Sequence, residues 1–158
     1  YPFADRVVKI SLLLPADKNL MEKLLPLANV SVQSLDTNVD ANNDIFLAAW
    51  RSVSLALIEY RYGNYAKAAD WCQQCLNYQE YENIAPRTAT ARIILAMSDQ
   101  RLGKTAEARS ELAEAREIIA DKFKSQLNQG NPMQGFWFDW VFAQILLKEG
   151  IALIGPAN

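Results

Sequence analysis

The sequence predicts an all-α fold, a right-handed stack of antiparallel helical hairpins with about seven helices, and three observations carry that prediction. Apolar residues recur at helical spacing in segment after segment, and no run sustains period-two alternation. Three Ala-x6-Gly pairs, Ala56/Gly63, Ala96/Gly103 and Ala143/Gly150, each fall on such a segment. In the first two, a second amphipathic segment follows directly, so the unit reads as a repeated hairpin. A small residue midway along a helix lets the next helix approach, and the Gly ends the helix in a left-handed turn that a Cβ disfavours.

The spacing predicts helices over 3–14, 17–34, 43–62, 65–80, 87–102, 105–125 and 133–154. Pro15 interrupts the chain after the first, and Asp17 can accept bonds from the orphan amides that open the second. Pro26 is expected to kink that helix or split it, and the polar stretch 36–43 reads as a loop. The third helix carries Ala56 and ends at Gly63; Asn64 is the expected cap of the fourth, which brings Ala68, Cys72 and Cys75 onto one face. The fifth and sixth repeat the arrangement around Ala96, Gly103, Ala108 and Leu112. Asn131-Pro132-Met133-Gln134 is a start signal for the seventh: Asn can cap, Pro suits the first turn, and Gln can reach back to the cap.

At 158 residues, 51% of them hydrophobic, the chain is long enough for one domain with a real core, and a single domain over 1–158 is expected. The subdivision is a degenerate N-terminal hairpin over 1–35, clear repeats over 43–82 and 86–127, and a capping helix over 131–155. In the first hairpin, Leu20, Leu24 and Leu27 take the apolar second-helix positions. A formal net charge of −2 leaves no basic footprint for nucleic acid. The apolar runs at 10–15 and 141–147 are far shorter than the roughly 18 to 20 residues of a membrane span. Tyr1-Pro2-Phe3 has neither an initiator Met nor a basic lead before an apolar run, and reads as an internal fragment of a longer protein. Cys72 and Cys75 share a helix face and cannot easily form a disulfide, which points to a reducing, cytoplasmic setting.

Aligned on their glycines, the two clear hairpins match across both helices. Leu55-Ala56, Gly63, Tyr65, Ala68, Cys72 and Cys75-Leu76 stand against Leu95-Ala96, Gly103, Thr105, Ala108, Leu112 and Ala115-Arg116. These positions resemble the tetratricopeptide repeat (TPR), with its Leu-Gly or Leu-Ala step, Gly turn and small second-helix residues. The early Trp of that signature is Ser52 and Arg92 here, its first-helix Tyr is Glu59 and Asp99, and no closing Pro occurs. The turn glycines are 40 and 47 residues apart, against a usual period of about 34, which implies extended loops between hairpins. Three stretches, Tyr1 to Lys9, Arg101-Leu102-Gly103-Lys104 and Trp137 to Glu149, further resemble the C-terminal repeat region of some bacterial serine/threonine protein kinases. The resemblance implies a TPR-like α-solenoid that serves as a non-catalytic interaction or regulatory module. Kinase chemistry would belong to an upstream domain, since no Gly-rich phosphate loop, His-Arg-Asp or Asp-Phe-Gly occurs in this chain.

Histidine is absent, which removes the commonest general base and metal ligand, so no catalytic residue, cofactor or metal site is expected. Glu59 and Asp99 occupy equivalent repeat positions and read as structural ion-pairing groups, with Arg61 or Arg92 available to neutralise them. Cys72-x2-Cys75 lacks the further ligands that a closed zinc site needs, and reads as core packing. First helices of stacked hairpins line a concave surface, and the stripe there contains Trp50, Val53, Leu57, Tyr60 and Arg61, then Ile93, Met97 and Arg101. Such an apolar stripe either binds an amphipathic or extended protein segment or is covered as core. The aromatic run Phe136-Trp137-Phe138-Asp139-Trp140 supplies Trp137 and Trp140 as further partner-binding residues, as a homo-oligomer contact, or as the place where an eighth helix outside this sequence docks. A small-ligand pocket lined by Trp50, Tyr60 and Met97 is the remaining reading.

Overall fold

A computed structural model describes residues 4–36, 41–78, 85–124 and 136–155. Seven helices are found among them: α1 (Ala4–Ser11), α2 (Lys18–Asp36), α3 (Ala41–Tyr62), α4 (Tyr65–Asn77), α5 (Ala85–Arg101), α6 (Thr105–Lys124) and α7 (Trp137–Ile154). No strand occurs in the described residues, so the chain is all-α there. The helices group into two compact units, Tyr1–Gln79 and Glu80–Asn158.

In the first unit, α1 and α2 pack on each other and both pack on α3, which also pairs with α4. Val8, Leu12, Met21, Leu24, Ala28, Val53, Leu57, Ala68, Cys72 and Cys75 are buried there. Asp17 accepts the Leu20 amide at 2.8 Å and so caps α2 as expected. Pro26 does not split α2, which continues through it to Asp36. Polar ends tie the helices together. Arg61 Nε donates to the Leu12 carbonyl at 3.0 Å and Nη2 to the Leu13 carbonyl at 3.3 Å, meeting acceptors that the end of α1 leaves over. The Tyr62 hydroxyl donates to the Met21 carbonyl at 2.8 Å.

In the second unit, α5 pairs with α6, and α7 packs against both. The core is Ile93, Leu95, Met97, Ala108, Leu112, Ala115, Ile119, Trp140, Ala143 and Leu146. Buried hydroxyls on α5 return to their own helix, Thr90 to the Pro86 carbonyl at 2.7 Å and Ser98 to the Ile94 carbonyl at 2.8 Å.

The α3–α4 and α5–α6 turns are built alike. Gly63 and Gly103 both lie at φ +82°. Each donates to the carbonyl three residues back, Tyr60 at 3.0 Å and Gln100 at 3.2 Å. The next amides reach back five residues, Asn64 to the Glu59 carbonyl and Lys104 to the Asp99 carbonyl, both at 2.9 Å. This is the paired-bond helix stop that requires a left-handed residue. Gly150 is different: it lies buried inside α7, which runs on to Ile154 and stops at Gly155, φ +93°. A Cβ on Gly150 would stand 3.0 Å from Leu112 Cδ1. The third Ala-x6-Gly pair therefore marks close helix approach instead of a turn.

Candidate partner-binding site

The stripe residues on α3 and α5 lie inside the units. Val53, Leu57, Ile93 and Met97 are fully buried, and Tyr60 nearly so. On α5 the physical reason is visible: the Gly150 backbone of α7 sits over Ile93 and Met97, with a Cβ position 3.5 Å and 3.8 Å from their side chains. On α3, Trp50 is half-buried beneath the Lys9 ammonium of α1, 4.0 Å from its ring centroid. Arg61 is engaged on the end of α1, and Arg101 is exposed at the end of α5. Val53 and Leu57 are thus buried in the first unit, and Ile93 and Met97 in the second.

The carboxylates at the equivalent repeat positions are held within their turns, and by different partners from the arginines expected. Glu59 accepts from Asn64 Nδ2 at 2.6 Å, and the buried Asp99 carboxylate lies 3.2 Å from Lys104 Nζ. Asn64 therefore spends its side chain on Glu59 and makes no side-chain cap for α4. Arg92 bridges instead to Glu111 at 2.5 Å and Glu114 at 2.9 Å, across α5 and α6. Among the described residues no three Cys, Asp or Glu side chains gather in a way that could hold a metal ion. Cys72 and Cys75 are buried on α4.

Tyr60 and Met97, the proposed pocket walls, are both buried. A depression on the surface of α4 is lined by Asp70, Gln73, Gln74, Asn77 and Tyr78, and shares no residue with that pocket.

The aromatic run divides by helix phase. Asp139 and Trp140 turn inward with Ala143, Leu146 and Gly150. Phe136 (52% exposed), Trp137 (68%), Phe138 (38%) and Val141 (39%) face solvent. Phe136 and Phe138 stack with centroids 5.2 Å apart, and Trp137 meets Phe138 edge-on at 5.9 Å. Of the two tryptophans singled out in the sequence, Trp137 is thus accessible and Trp140 is core. The period of 3.6 residues, counted from Ala143 and Gly150, is the signal that separates Trp137, Phe138 and Val141 from the inner face. The predicted helix-start signal at Asn131–Gln134 lies outside the described residues.

The class these features define is an all-α protein of helical hairpins with an exposed aromatic turn. Comparisons with known protein families, with curated proteins and with solved structures find no match. No helix among the described residues is long and apolar enough to cross a membrane.

Proposed function

We propose that the chain is a non-catalytic protein-interaction or regulatory module. In this reading it is a cytoplasmic, TPR-like right-handed stack within a longer protein that resembles a bacterial serine/threonine kinase. It binds a protein or peptide partner through the first turns of α7. The observation that carries the reading is the exposed ring cluster of Phe136, Trp137 and Phe138 beside Val141. Large apolar side chains grouped at the surface mark association sites, and Trp is enriched among residues that dominate binding energy. The use of Glu59 and Asp99 in two matching helix turns supports a structural role for both, and with it a chain without catalytic chemistry.

The test is to replace Trp137 with a photo-crosslinking phenylalanine analogue in the full-length parent and irradiate the source cells. A discrete adduct at position 137, absent when the analogue replaces the exposed Lys67 of α4 instead, is the expected result. No adduct at position 137 would sink the reading.

A further inference from the structure

We draw no further inference here: the strongest candidate, the exposed apolar face at the start of α7 formed by Phe136, Trp137, Phe138 and Val141, belongs to the interaction site already described, and nothing in the structure shows which partner covers it.

Discussion

Gly103 and Gly150 both close an Ala-x6-Gly pair, and substitution should separate their two reasons for being glycine. At Gly103 the backbone sits at φ +82° and nothing lies within 4 Å of a Cβ position. The cost of a side chain there is conformational, about 1–2 kcal/mol for Gly103→Val, and Asn, which tolerates the left-handed region, should recover much of it. At Gly150 the backbone is helical and the obstacle is Leu112, so Gly150→Val should cost about 1–3 kcal/mol by overpacking, with no relief from Asn. Urea unfolding of the four variants decides this; equal behaviour of Asn at both sites would contradict the distinction. Tyr62 gives a pH-dependent case. Burial, then the charges of Glu22 and Glu59, hold its phenol above its usual 10.0. The neutral phenol is the form that donates to the Met21 carbonyl. Folding thus favours the protonated form. The stability Tyr62 contributes is fully present below pH 10 and is lost as pH rises through its raised value in the folded chain. Tyr62→Phe should therefore cost up to about 1 kcal/mol near pH 7, and the difference from wild type should shrink in denaturation curves above pH 10.

At the scale of elements, the helix ends that were legible are those where the chain carries its own punctuation. Asp17 caps α2, and Gly63 and Gly103 stop α3 and α5 at the predicted places. These are local signals, decided within four or five residues of chain. Two readings failed where the deciding partner was distant or competing. Asn64 had the right position for a cap, but Glu59 five residues earlier takes its amide. Arg61 and Arg92 were within reach of the repeat carboxylates along the sequence, yet the end of α1 and the acids of α6 claim them. The apolar stripe of α5 has one pattern whether open or covered, since periodicity gives a helix its face and not what lies against it. Gly150 was the available clue that α7 approaches that stripe closely. Loss of packing between α7 and the α5–α6 pair in Gly150→Val should appear as raised hydrogen exchange in Trp137–Ile154, with α1 and α2 protected as before.

For the whole molecule, the charge distribution decides what kind of association is available. A net charge of −2 over 158 residues gives no long-range field to steer a strongly charged partner, and the exposed face of α7 has none of its own before Lys148. Binding at this face must therefore draw on apolar burial. Two thermodynamic consequences separate this from electrostatic recognition. Apolar burial gives a negative heat-capacity change on association, and pairs of exposed charges are already largely screened at about 0.1 M salt. The dissociation constant of the α7 contact should thus change less than about threefold between about 0.05 and 0.5 M sodium chloride, while the association enthalpy becomes more negative on warming. Titration calorimetry with the partner across that salt range, at roughly 10 to 35 °C, measures both. A tenfold weakening with salt, about 1.4 kcal/mol, would move the binding energy from the rings of Phe136, Trp137 and Phe138 to charged groups elsewhere on the surface.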